Sequence, residues 1–204
     1  MRAFLALALF ACVASAHAAT AALRALDTSG SPVAEAVIYL TNGSAPAQVE
    51  KPTTVDIDQV DREFVPRVTV VQAGTAIYFP NSDNIRHQVY SFSPAKTFTL
   101  KLYSGRPSTP VVFDQPGVVV LGCNIHDHMI AWVLSVATPW FAKADAQGRA
   151  RIEGLAAGRY EAFVWMPELS APVAAGTIEL RADGRLDRDL TVPIAPAGSA
   201  RSTG

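Results

Sequence analysis

An all-β protein built as a sandwich of sheets is what this sequence predicts, on three observations. Helix signals are scarce beyond the N-terminal leader. Short runs rich in β-branched and aromatic residues recur between Gly, Pro, Asn and Asp, as in a sandwich of short strands. Finally, Thr97–Tyr103 alternates, which sets Phe98, Leu100 and Leu102 on one face as a half-buried strand requires.

The elements follow in order. Met1-Arg2 precedes an apolar run from Ala3 to about Ala16, and the small residues of Ala16-His17-Ala18 offer a cleavage point, so residues 1–18 read as a signal peptide. The run is shorter than the roughly 20 apolar residues that span a bilayer, and no later stretch is that long without charge. The expected location is the periplasm, with no membrane span. Between Leu23 and Thr41 a turn, Asp27-Thr28-Ser29-Gly30-Ser31-Pro32, separates two strand-like pieces, the second being Ala36–Leu40. A compact array of strands is then predicted at Arg67–Val71, Ala76–Pro80, His87–Phe92, Thr97–Tyr103, Val118–Gly122 and Met129–Val136. Val118–Leu121, a continuous apolar run, reads as buried on both faces. After Pro139 two turns, at Asp145–Gly148 and Ala156–Gly158, separate further strands, and the small polar residues 195–204 read as a disordered tail.

The early Asp27-x-x-Gly30-x-Pro32-Val33 and the late Asp145-x-x-Gly148 and Leu155-x-x-Gly158-x-Tyr160 resemble the start and the remainder of a carboxypeptidase-regulatory-like or transthyretin-like small β-sandwich. That resemblance implies a domain in two segments, residues 19–48 plus 138–194, with residues 49–137 inserted between them; a single sandwich with embellished ends is the alternative. Close chain termini make insertion feasible.

Charge narrows the function classes. With 17 basic and 18 acidic residues the chain is nearly neutral, and no basic patch or base-stacking motif marks a nucleic-acid binder. Of the two cysteines, Cys12 leaves with the leader, so Cys123 is an unpaired thiol in an oxidising compartment. Alone it reads as a small buried hydrophobe. Its neighbours change that reading.

In Gly122-Cys123-Asn124-Ile125-His126-Asp127-His128-Met129, a thiolate, imidazoles and a thioether fall close together, the soft and borderline donors that hold copper in either oxidation state. A loop gathers the C-x2-H-x2-M donors around one point, whereas an extended strand would scatter them to alternate faces. His87, in the second polar loop Pro80–His87, is the candidate for a further imidazole.

Here the sequence resembles the cupredoxins, closest to amicyanin and pseudoazurin, across about Val55 to Val136. The likeness lies in Phe64–Val70 before Gly74-Thr75, in the Asn81–His87 loop, and in Gly117–Cys123 leading into a short ligand loop. It implies a Greek-key β-sandwich holding one type 1 copper, with His87, Cys123 and His126 as strong ligands and Met129 as the axial one. It also implies a one-electron carrier serving periplasmic redox proteins such as a c-type cytochrome or a dehydrogenase. The whole chain resembles periplasmic methylamine-utilisation proteins with a cupredoxin domain. Two departures stand out: Gln88 follows the first histidine where many cupredoxins carry Asn, and His128 has no counterpart. His128 is open to three roles: replacing Met129, standing exposed near the copper, or gating a proton-linked change.

Two rival functions use the same residues: a copper chaperone, buffer or sensor without electron transfer, and a non-catalytic binding module. An enzyme is not expected, because a second, histidine-built copper site would have only His128 left in the mature chain. No phosphate loop, zinc-protease helix or nucleophile elbow is present in the sequence. Trp132, Trp140 and Trp165 read as core or interdomain aromatics, and the electron-exchange edge is expected at His126 between Ile125 and Ile130.

Overall fold

In the computed structural model, residues 19–43, 54–181 and 184–194 are described; the expected leader, the tail and the segment holding the 48/49 boundary lie outside them. Every regular element among these residues is a strand. The first group in chain order is β1 (Ala19–Leu26), β2 (Val37–Thr41), β3 (Thr54–Asp56), β4 (Asp58–Val60), β5 (Glu63–Val65), β6 (Val68–Gln72), β7 (Thr75–Tyr78) and β8 (His87–Ser93). There follow β9 (Lys96–Tyr103), β10 (Val111–Phe113), β11 (Gly117–Gly122), β12 (Ile130–Val136), β13 (Phe141–Lys143), β14 (Arg149–Leu155), β15 (Gly158–Trp165), β16 (Val173–Leu180) and β17 (Arg185–Thr191). None of the described elements is a helix long and apolar enough to cross a membrane.

The central strands build a five-stranded sheet in the order β6-β12-β11-β8-β9, a three-stranded sheet β10-β7-β3 and the hairpin β4-β5. Two pairings here are parallel, β6 with β12 and β3 with β7. The two larger sheets enclose one core, to which Val71, Val89, Val119, Leu121, Ala131 and Val133 come from the first and Ile77 and Phe113 from the second. Strand alternation sends these residues inward and their neighbours out.

The flanking strands build a β14-β1-β17 sheet and a β13-β2-β15-β16 sheet around a separate core containing Leu23, Ile38, Leu40, Ile152, Tyr160 and Val164. Two of the expected turns, at Asp27–Pro32 and Asp145–Gly148, are each organised by an aspartate. Asp27 Oδ1 accepts hydrogen bonds from Ser29 N, Ser29 Oγ and Ser31 N, and Asp145 Oδ1 accepts from Gln147 N and Arg149 N. Gly148 has φ +73°, and a Cβ there would lie 2.5 Å from the Ala25 carbonyl oxygen, so the turn requires glycine to lie against β1.

A third cluster joins the two: Val37 and Trp165 from the flanking strands pack against Val68, Leu134 and Val136 of the central sheet. β12 therefore turns Ala131 and Val133 to the central core and Leu134 and Val136 to the junction. Trp165 is fully buried there and Trp132 packs alongside, while Trp140 meets Tyr160 edge-on in the flanking core region.

Two strand expectations need correction. Val120 is 42 % exposed, so Val118–Leu121 is not buried on both faces: the junction covers the Val118 end of β11 and leaves the Val120 end in solvent. Leu102 does not share a face with Phe98 and Leu100. β9 holds an extra residue between the His87↔Tyr103 and Val89↔Leu100 pairs, and the bulge turns Leu102 outward to 46 % exposure.

Candidate metal centre

The bulge has a local consequence at the donor end of the sheet. It turns Tyr103 inward beside His87, where the phenol donates to Phe79 O at 2.5 Å and accepts from Gln59 Nε2 at 2.7 Å. Burial dominates the Tyr103 environment and pushes its pKa up to about 12, against the Gln59 hydrogen bond, so it remains a neutral phenol.

The first donor loop is held at both ends. Asn81 is buried and bonded through both side-chain polar atoms: Nδ2 donates to Ile85 O and Tyr103 O, both at 2.9 Å, and Oδ1 accepts from Asp83 N at 3.1 Å. Asn81 and Gly105 also exchange backbone hydrogen bonds. The loop is thus anchored to β9 by Asn81, ahead of the histidine, rather than at the Gln88 position that follows it.

Asp83 is the centre of the arrangement and the residue that sequence reasoning missed. The β4-β5 hairpin turns through Asp61 (φ 52°) and Arg62 (φ 61°), two non-glycine residues in the left-handed region that each cost roughly 1–2 kcal/mol. Asp83 accepts hydrogen bonds from both of their N–H groups, at 2.7 and 3.0 Å. Its Oδ2 also lies 2.6 Å from His87 Nε2. Partial burial pushes the Asp83 carboxyl up, but the Arg62 N–H, the His87 ring and the Asp61 N–H together hold it below its ordinary value, as an anion. The charged acceptor fixes the ring orientation of His87, leaving Nδ1 toward the interior. A short acidic loop residue four positions before a histidine was visible in the sequence, but nothing there showed that a remote hairpin would meet it.

Cys123 ends β11. Just before it, Gly122 lies against Tyr90: a Cβ at 122 would lie 2.7 Å from the Tyr90 ring, so a side chain there would have to displace the ring. Cys123 is 2 % exposed and its Sγ lies 3.8 Å from His87 Nδ1. Met129 N donates to His126 O at 2.9 Å, closing the turn that follows, and buried Met129 packs in the same core cluster as Cys123.

One donor atom from each of His87, Cys123 and His126 lies within 4.8 Å of the others. His126 Nδ1 is buried and makes no hydrogen bond. Such an orphan costs about 1–3 kcal/mol, and an imidazole lone pair of this kind is satisfied by a metal ion. Desolvation, then the charges of His87, Arg62 and His128, hold His126 below its ordinary pKa, which favours the neutral imidazole. Soft sulfur with two imidazoles in a buried pocket fits copper. His128 stands outside this group, exposed, with its ring centroid 5.9 Å from that of His126. Around the His126 edge, Ile125 and Ile130 are both exposed.

No protein-family model and no curated protein matches the chain. Among solved structures, the chain is similar to a copper-containing nitrite reductase from Thermus scotoductus SA-01, at 22 % identity and a TM-score of 0.39 over 46 % of this chain and 24 % of that one. It thus spans about a quarter of that enzyme's length. It is also similar to a purple cupredoxin from Nitrosopumilus maritimus (18 % identity, TM-score 0.35, 41 % of this chain and 99 % of that one). Amicyanin from Paracoccus versutus gives 16 % identity and a TM-score of 0.36 over 48 % of this chain and 97 % of that one. The described residues form an all-β fold.

Proposed function

We propose that the protein is a periplasmic type 1 copper protein that carries single electrons between redox partners, with His87, Cys123 and His126 as strong ligands and Met129 as the axial ligand. The single observation behind this reading is the buried convergence of the three donor atoms, with His126 Nδ1 lacking any other partner. When bound, copper supplies a one-electron couple that soft sulfur and imidazole donors accommodate in both oxidation states.

The chain's own residues supply rigidity. His87 is clamped between its strand and Asp83, Cys123 is set by the end of β11, and the Met129 to His126 hydrogen bond holds the second loop in its turn. With its donors held in this way, the site exchanges an electron with little rearrangement. Core packing around Cys123 and Met129 keeps water from the sulfur donors. Transient redox encounters use small contact areas, and the half-buried His126 edge between Ile125 and Ile130 offers one.

The reading includes a division into two units, residues 49–137 around the metal centre and residues 19–48 plus 138–194 flanking it, with residues 1–18 as an export signal. The partners are periplasmic proteins of the c-type cytochrome or dehydrogenase kind.

The test is the optical and paramagnetic resonance spectrum of the Cu(II)-loaded protein. An intense visible thiolate-to-copper absorption is expected and should vanish in Cys123→Ser. A copper-loaded wild-type protein without colour overturns the proposal.

A further inference from the structure

Three imidazoles form a file from solvent to the protein interior. His128 is exposed, His126 is half-buried, and His87 has no exposed surface. Their ring centroids are 5.9 Å apart from His128 to His126 and 5.0 Å from His126 to His87. Cys123 and Met129 lie beyond, at 2 % and 1 % exposure. Among these five residues, then, His128 presents the most exposed donor to a metal ion arriving from water. The His126 nitrogen without a partner is the second stop.

Resting on the type 1 copper reading, we infer that His128 is the entry ligand of the site: it captures the incoming copper ion and passes it to His126, and it is not a donor in the loaded centre. Its position supports the transient role, since His128 lies outside the group of atoms that fall within 4.8 Å of one another. The transfer is a ligand exchange. A water leaves the ion as the His128 nitrogen binds, that bond breaks as His126 and then His87 and Cys123 bind, and the Cys123 thiol proton departs to solvent. Copper keeps its oxidation state throughout. A ligand fixed beside the site turns the second binding event into an intramolecular one, so that its effective concentration exceeds that of the free ion in solution.

The experiment mixes the purified, copper-free full chain with Cu(II) and follows two signals over time: the visible absorption, and the copper retained after rapid desalting. His128→Asn should slow uptake by roughly tenfold, while the final spectrum and copper content match wild type. Asp127→Asn, which removes a charge from the same loop but no imidazole, should stay within about twofold of the wild-type rate. Wild-type uptake in His128→Asn overturns the inference, and so does an equal loss in Asp127→Asn, because capture would then be a matter of charge. A changed final spectrum in His128→Asn overturns it too, by making His128 a resident ligand. Retained copper without colour in wild type overturns the type 1 reading instead, and the uptake rates still decide the part played by His128.

Discussion

The flanking and central strands are both two-sheet sandwiches with apolar cores, yet they treat buried polar groups differently. In the flanking strands Oδ1 of the buried Asp27 takes three hydrogen bonds from its own turn, all from residues within four positions. In the central strands the buried set includes Gln59, Thr69, Thr75, Asn81, His87, Ser91 and Ser135, and two of these, Gln59 and Asn81, reach Tyr103 across more than twenty residues. Among the described residues, the four buried side-chain atoms without a partner, Gln59 Oε1, Thr69 Oγ1, His126 Nδ1 and Ser135 Oγ, all belong to this second region. Closed polar accounting is what a stable scaffold needs. An open account at His126 is the mark of a site built for something other than stability.

The sharpest way to break the comparison is at the junction. Trp165 is fully buried between the two regions, and Trp165→Ala should cost about 3–5 kcal/mol in denaturant unfolding of the copper-free chain. If the regions depend on one another, a single transition moves; two separate transitions, with the central one unshifted, would show that the metal region stands without its flank.

A smaller effect should confine itself to the metal region. Asp83→Ala removes the acceptor from His87 Nε2 and from the Asp61 and Arg62 N–H groups, and is expected to lower copper affinity by about 10- to 100-fold in chelator competition. Asp83→Asn, which keeps an acceptor oxygen, should lose less. Equal affinity in all three proteins would remove Asp83 from the site.

The smallest effect belongs to the flank. The Ser29 hydroxyl, helped by the Ser31, Ser29 and Gly30 N–H groups and opposed by burial, holds the Asp27 carboxyl below its ordinary 3.8. A lowered pKa means that the folded state favours the anion. Its stabilisation is therefore complete above the ordinary carboxylate range and is lost as pH falls through the lowered value. Asp27→Asn should melt below wild type at neutral pH, and the gap in Tm of the copper-free proteins should close as the pH drops below 3.8. A gap that persists unchanged in acid would show that the oxygen geometry, not the charge, holds the turn.

Much of this molecule was written locally. Cys123 and His126 are near neighbours in the chain, so their convergence follows from one turn, and the Asp27 and Asp145 turns with Gly148 are short-range chemistry of the same kind. The β-class itself is carried by alternation, a property of each strand alone. Tertiary structure decided the rest because it depends on pairings between distant segments. The bulge that turns Leu102 out and Tyr103 in exists only in register with β8, and the exposure of Val120 reflects where the flanking strands stop covering β11. Asp83 became the keystone of the site only when the β4-β5 hairpin delivered two unpaired N–H groups to a carboxylate already facing His87. Side-chain chemistry is a local property that a sequence displays directly, whereas a hydrogen bond between remote loops is the outcome of packing the whole chain.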